Sequence, residues 1–498
     1  MSLKDVSWPG RTYTDLLSMT NLSQHLLAAV LLLGCPLTGM ASTAPLPGDT
    51  LRACRPTTRT FRSEAVERAI ADAAARITHP YLRQMFINCY PNTLDTTIDY
   101  RQLEDGDDDT FVITGDIPAM WLRDASAQVK PYLRFAREDE HLRHMLRGVV
   151  RRALRCLLVD PYANAFCQSP DSMSWAWSKD YTKMLPGVYE RKYELDSQCY
   201  PLLLLCDYID ATADATVADH LLAPALDKVL TTMEQQADGS GWRTYKFART
   251  THALHDTRSN YGLGHPGRPC GLIASAFRPS DDSNVLPFNI PGNMMAAHAL
   301  KRMAGLLRTT WHDEARAARC LRLAEGIERG LRRWGTVRHP EYGCIYAYEV
   351  DARGSALLMD DANVPSLLSL PYIAGIDPKD KTYVRTRRFI LSEANPYFFA
   401  GRAGQGIGGP HVGMDYVWPM STIMQALTGR DDREIAECLT RLMRTDAGTM
   451  FMHEAYHKDD DRKFTRHWFA WANTLFGELI LHLLDEGKDD LINSLPEK

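Results

Sequence analysis

Four stretches of this chain bring together residue types that do chemistry in enzymes. The first is Gly115-Asp116-Ile117-Pro118-Ala119-Met120-Trp121-Leu122-Arg123-Asp124. A turn signal at 114–116 followed by Pro118 predicts a helix starting near Ile117, since proline is tolerated where the first-turn amides have no intrahelical partner. Trp121, Arg123 and Asp124 then fall in its first turns. An unpaired charge buried beside an indole is costly. The stretch therefore reads either as an Arg123–Asp124 structural pair with Trp121 as core filler, or as a carbohydrate site. In the latter the indole face meets a sugar ring and the charged groups hold its hydroxyls.

The second stretch, Phe277-Arg278-Pro279-Ser280-Asp281-Asp282-Ser283-Asn284, places two adjacent carboxylates before an apolar run. Desolvation and a charged neighbour would raise the pKa of one of them, as a general acid requires, although Asp-Asp also caps helices. In the third, Asp360-Asp361-Ala362-Asn363-Val364-Pro365-Ser366, Asp361 and Asn363 suit helix capping better than sugar binding. The fourth, His453-Glu454-Ala455-Tyr456-His457, matches the H-E-x-x-H zinc-protease pattern, with Glu478 at a spacing that suits a third ligand. Its context opposes that reading. Gly448 precedes it and Lys458-Asp459-Asp460-Asp461-Arg462-Lys463 follows at once, so this is a polar loop and not a helix holding both imidazoles on one face. The aromatic run at 464–473 reads as core. The glycine-rich segment at 401–411 has neither G-x-G-x-x-G nor G-K-[ST], which argues against phosphate binding there.

These groups need a scaffold, and the hydrophobic pattern supplies a helical one. Amphipathic segments occur at about 63–82, 117–135, 139–159, 192–211, 217–236, 292–308, 313–333, 416–428, 431–445 and 468–485. Strand-like alternation is confined to short runs at 110–113 and 345–350. About a dozen helices with no composition break predict a mainly α protein with one large domain, and a barrel of paired inner and outer helices suits that count. The long Gly- and Pro-rich loops at 262–279 and 401–413 are natural places for a site.

Composition bounds the rest. Of 498 residues, 45% are hydrophobic and 24% charged, with a net charge of −5 and both signs interspersed, so no nucleic-acid surface is expected. The eleven cysteines include no C-x-x-C pair and read as mostly free, buried thiols. The apolar stretch at 26–33 is of signal-peptide length and too short to span a bilayer; small and polar residues follow it. Met19 is an alternative start, and the segment ending at Cys35 loosely resembles a lipoprotein cleavage site. We expect an export leader over 1–45, a linker over 46–60, a catalytic domain over 61–498, and an exported, periplasmic or extracellular monomer without stable membrane insertion.

Read together, the motifs resemble glycoside hydrolase family 125, the exo-α-1,6-mannosidases. The resemblance is carried by the 115–124 stretch, by Tyr193-Glu194-Leu195-Asp196 with Cys199-Tyr200-Pro201, and by Phe277-Arg278-Pro279-Ser280-Asp281-Asp282. It continues through 360–368, Gly409-Pro410-His411 with Trp418-Pro419-Met420, and His453-Glu454 with Trp468-Phe469-Ala470-Trp471-Ala472-Asn473. It implies an (α/α)6 barrel and hydrolysis, without metal or cofactor and with inversion, of terminal α-1,6-linked mannose on an oligosaccharide. It assigns the acid to Asp281, with Asp282 as the alternative, and the base to Glu454. Asp282 would help keep Asp281 protonated, and Arg278 would oppose it. Asp116, Trp121, Arg123 and Asp124 are implied in sugar binding, with Asp361, Asn363 and His411. The alternatives are a barrel glycosidase of other specificity, a non-catalytic glycan binder, and a zinc peptidase through the 453–457 motif.

Overall fold

The computed structural model describes residues 55–174 and 177–498, which fall in one compact unit; the leader expected at 1–45 lies outside the described residues. From Arg55 the expected linker is tied to the helical body: the Arg55 guanidinium pairs with Glu67 and Asp95, and Thr60 and Phe61 donate backbone hydrogen bonds to the carbonyls of Asp95 and Leu94.

The chain forms an (α/α)6 barrel, and burial sorts its helices into two layers. The inner layer comprises Leu122–Val129, Leu195–Thr212, Ile290–Thr309, Leu370–Ala374, Pro419–Leu427 and Ala470–Asp485. Every residue of Leu122–Val129 is buried, as are most of Leu195–Thr212 and Ala470–Asp485, as expected of helices covered on all sides. The outer layer comprises Pro80–Cys89, Glu140–Val159, Asp219–Asp238, Glu314–Trp334, Lys381–Ile390 and Asp432–Arg444, most of them strongly amphipathic. Around the ring, Leu122–Val129 packs on Leu195–Thr212, that helix on Ile290–Thr309, and that on Leu370–Ala374. On the other side Pro419–Leu427 packs on Ala470–Asp485, which returns to Leu122–Val129. Gly477 lets the last inner helix approach Pro80–Cys89: a Cβ there would lie 2.5 Å from the Tyr90 side chain.

Capping differs between the layers. Asp139, Asp313, Asp380 and Asp431 accept first-turn amides of outer helices. Five inner helices have no side-chain cap. Their first amides are held by other segments: Leu122 N donates to Asn164 O, Leu195 N to Ser275 Oγ, and Ala470 N to Thr114 O. The loops that enter the inner helices are thus stitched to one another at one end of the barrel.

Three expectations are corrected. The first inner helix begins at Leu122 and not near Ile117, because Met120–Trp121 is extended and pairs with Ala165–Phe166, which leaves Trp121 at the N-cap. The helix expected over 63–82 is two, broken where Ile77 turns extended and restarting at Pro80. The helix Lys381–Ile390 carries little apolar signal beyond Tyr383, Phe389 and Ile390 and escaped the pattern. Among the described residues no helix is long and apolar enough to cross a membrane.

Candidate active site

The loops entering the inner helices converge on a cavity of about 210 Å³. Trp121, Arg123 and Asp124 reach it from the start of Leu122–Val129, Asp281 from the loop before Ile290–Thr309, and Asn363 from the loop before Leu370–Ala374. His411 and Trp418 come from the loop before Pro419–Leu427, and Glu454, Arg466 and Phe469 from the segment before Ala470–Asp485. Acidic groups near helix N-termini are favoured by the helix dipole, which helps this end of the barrel tolerate buried carboxylates.

Arg123 is the hub. Its guanidinium is buried; Nη1 donates to Glu194 (2.6 Å) and Asp196 (3.2 Å), Nη2 to Asp281 (3.1 Å), and Nε lies 3.4 Å from Asp124. Burial alone would lower its pKa, but four surrounding carboxylates hold it well above the usual value. Burial pushes Asp124 up to about 6 against the pull of Arg123, and Asp196 likewise to about 6.

Asp281 occupies a left-handed backbone conformation (φ 65°) in a turn closed by hydrogen bonds between Arg278 and Asp282 and between Asp281 and Arg278. Such strain in a residue with a side chain persists where surrounding contacts over-determine it, and it collects at functional sites. Lys192 Nζ fixes the turn by donating to the Asp281 carbonyl (2.9 Å). The carboxylate itself meets Arg123, the Asn164 amide (3.4 Å) and Glu194. Burial favours its neutral form, yet Arg123, a hydrogen bond from Glu194, Lys192 and His411 together hold it well below the usual carboxylate range. Glu194 shows the reverse: burial, with the charges of Asp281 and Asp196, pushes it well above the usual range despite Arg123. Burial and the neighbouring charges thus favour the protonated form of Glu194 and the ionised form of Asp281.

The adjacent carboxylates differ sharply. The Asp281 side chain is 20% exposed and lines the cavity, whereas that of Asp282 is 1% exposed and turned to His411 Nδ1 (3.1 Å). Burial opposes charge on His411, but Asp282, Glu454 and Asp281 outweigh it and raise its pKa to about 9. Arg278 is occupied by Glu349 (2.6 Å, both buried). The parts expected of Asp282 and Arg278 in setting the protonation of Asp281 therefore fall to Glu194 and Arg123.

Opposite these groups, Glu454 lies 3.6 Å from Arg466, whose other nitrogens donate to Asp116 (2.7 Å) and Thr114 Oγ1 (2.9 Å). Of the residues predicted for the site, Trp121, Arg123, Asp124, Asp281, Asn363, His411 and Glu454 line the cavity. Asp116 and Asp361 do not. The Asp116 side chain is 41% exposed and clamps Arg466 from outside; Asp361 is buried and accepts from Ser280 Oγ (2.7 Å), behind the wall. Asp361 caps no helix; Asp360 instead accepts the amides of Leu367 and Leu368. Arg466, Trp418, Glu194 and Asn164 were missed. Glu194 and Trp418 stood inside quoted motifs, whereas Arg466 sat in a run read as core. The indole nitrogens of Trp121 and Trp418 are buried without an acceptor among the described residues.

The zinc-helix reading fails on geometry. Ala455–His457 is a strand in a hairpin with Asp460–Thr465, so His453 and His457 are not a helical turn apart. His453 stacks on Phe464 at 3.8 Å between ring centres, and Glu478 accepts from Tyr372 Oη. A different trio, His255, Asp282 and His411, brings ligand-type atoms within 4.8 Å of one another. There His411 Nδ1 lies 3.1 Å from Asp282, a hydrogen-bonded pair that accounts for two of the three groups.

An (α/α)6 barrel with acids, indoles and a guanidinium around a small cavity at one end defines a glycoside hydrolase. Residues 79–481 match the model of GH125, described as metal-independent alpha-mannosidase. The chain is 42% identical over 452 residues to the Meiotically up-regulated gene 157 protein of Schizosaccharomyces pombe, covering 86% of this chain and 88% of that protein. It is 38% identical to a metal-independent α-mannosidase of Streptococcus pneumoniae solved in a non-productive complex with α-1,6-mannobiose, with a TM-score of 0.81 over 86% of this chain and 99% of that one. A bacterial glucoamylase bound to acarbose shares the fold at 10% identity, with a TM-score of 0.53 over 82% of this chain and 57% of that one. This chain belongs to glycoside hydrolase family 125 and is an α-mannosidase.

Proposed function

We propose that the enzyme releases terminal non-reducing α-1,6-linked mannose with inversion, Asp281 acting as general acid and Glu454 as general base. The observation that carries this reading is that these two carboxyl groups, from loops 173 positions apart in sequence, both face one small cavity whose other walls carry Arg123, Asp124 and Trp121. Asp281 gives its proton to the glycosidic oxygen as the C1–O bond breaks. Glu454 takes a proton from the water that attacks C1 from the opposite face, so the product is β-mannose. Burial and the charge of Asp281 favour the protonated form of Glu194, and transfer across their hydrogen bond supplies the acid form of Asp281. The small cavity favours a single terminal sugar over an internal one, and the complex of the Streptococcus pneumoniae relative with α-1,6-mannobiose supports the linkage. The export-like stretch at 26–33 supports action outside the cytoplasm, which N-terminal sequencing of the mature protein tests.

The deciding experiment follows hydrolysis of α-1,6-mannobiose beside its α-1,2 and α-1,3 isomers by NMR, with and without EDTA. β-Mannose as the first product, from the 1,6 isomer alone and insensitive to EDTA, is expected. α-Mannose as the first product would overturn inversion, faster release from another isomer would overturn the linkage, and loss with EDTA would return His255, Asp282 and His411 as a metal site.

A further inference from the structure

A second and larger cavity, about 590 Å³, lies beyond the active site; Tyr193 lines it, while the next residue, Glu194, reaches Asp281. Its walls come from the 236–246 segment and from the 258–267 loop, part of which the sequence marks as unusually long. Arg243, Lys246, Arg258 and Arg353 all line it, and no Asp or Glu does. Among the described residues none of the four makes an ion pair. Cations nearby in sequence behave differently: Arg249 is held by Asp180, Glu190 and Asp256, Lys192 by Asp256, and Arg191 by Asp160. The fold supplies counter-charges on that side and withholds them here.

Arg258 shows that the arrangement is built. Its guanidinium lies 5.6 Å from the centre of the Tyr245 ring, and Nη1 donates to the Gly262 carbonyl (3.2 Å). Gly264, at φ 72°, closes over it; a Cβ there would lie 2.5 Å from Nη2. Asn260 and Tyr261 both take left-handed conformations (φ 53° and 55°) in the same turn, strain of the kind found at ligand clamps. Arg353 is anchored through Nε and Nη2 to the Gly267 carbonyl. Burial pushes the Arg258 guanidinium below its usual pKa with no carboxylate to offset it, a situation that an anionic ligand relieves. One carboxylate would satisfy one arginine fork, whereas three arginines and a lysine around one space match a dianion. Beside them Trp242, fixed by its Nε1 donating to Gln236 O, is part-exposed and offers an aromatic face, while Tyr245 is buried against Tyr162 and serves to seat Arg258.

We propose that this cavity binds a phosphorylated sugar, with Arg258 as the principal phosphate ligand, Arg243, Lys246 and Arg353 completing the charge, and Trp242 taking the sugar ring. The inference does not depend on the linkage or the stereochemistry of hydrolysis. Isothermal titration of the full chain in 0.15 M NaCl with mannose 6-phosphate, inorganic phosphate and mannose tests it. Mannose 6-phosphate is expected to bind at least tenfold more tightly than inorganic phosphate, and R258M to weaken it at least tenfold while hydrolysis of α-1,6-mannobiose stays unchanged. R258K, which keeps the charge and loses the fork, is expected to fall between. Should R258M not fold, the paired substitution of the exposed Lys246 and Arg353 by Met provides the same reading. No binding of either phosphate, or binding untouched by these variants, overturns the site. Equal affinity for inorganic phosphate and mannose 6-phosphate overturns the sugar component.

Discussion

Replacing Glu194 by Gln removes the negative charge that lets Asp281 keep a proton while Arg123 stands 3.1 Å away. Two carboxylates at close range repel by about 4 kcal/mol at an effective dielectric near 20. In the native pair this repulsion keeps one proton bound, with Glu194 well above the usual range and Asp281 well below it. In E194Q the repulsion is gone while Arg123 remains, so Asp281 loses its proton at a lower pH. The alkaline limb of kcat/KM, which reports the acid of the free enzyme, should move to lower pH. Activity on α-1,6-mannobiose at pH 7 should then fall roughly 100-fold or more and recover substantially near pH 4 to 5. The assay is a kcat/KM profile from pH 4 to 9 for wild type, E194Q and E194D. A limb unmoved in E194Q, with activity lowered equally at every pH, would refute the shared proton and leave Glu194 as a brace for Arg123 only.

If Asp281 is the acid, D281N should lose about 10²- to 10⁴-fold on α-1,6-mannobiose yet retain much of its rate on a dinitrophenyl α-mannoside, whose leaving group needs no proton; an equal loss on both substrates would remove that role. E454Q should lose a similar factor on both substrates, since the activated water attacks in the same step whichever group leaves. D124N, at the cavity wall, should reduce kcat/KM by about 10- to 100-fold through lost charge-assisted hydrogen bonds to sugar hydroxyls. D116N should cost less than D124N, because Asp116 acts through Arg466; the reverse order would show Asp116 touching the sugar. G477A should lower the urea midpoint, corresponding to about 1–3 kcal/mol of overpacking against Tyr90, which exceeds the gain of roughly 1 kcal/mol from replacing glycine in a helix.

The helical scaffold was legible because its outer helices must face both water and core, and that requirement writes a 3.6-residue pattern. Most inner helices were legible as apolar segments, though the five-residue Leu370–Ala374 was not, nor were the starts: Met120 and Trp121 are extended because a strand from 165–166 pairs with them, a partner 45 residues away that no local propensity reports. The adjacent carboxylates at 281–282 stood out in the sequence, but the acid and base assignments came from the resemblance to glycoside hydrolase family 125; Asp281 and Glu454 line one cavity. What could not be read was which charges would neutralise which. Arg278 adjoins the acid in sequence and is spent on Glu349, while Arg123, 158 positions away, holds Asp281. A buried charge is set by its neighbours in space, so the same stretch that reveals a site's residue types conceals its protonation. That is why the unpaired cations of the second cavity gave no signal in the sequence: three arginines and a lysine over 243–353 look like ordinary surface until the fold shows that no acid meets them.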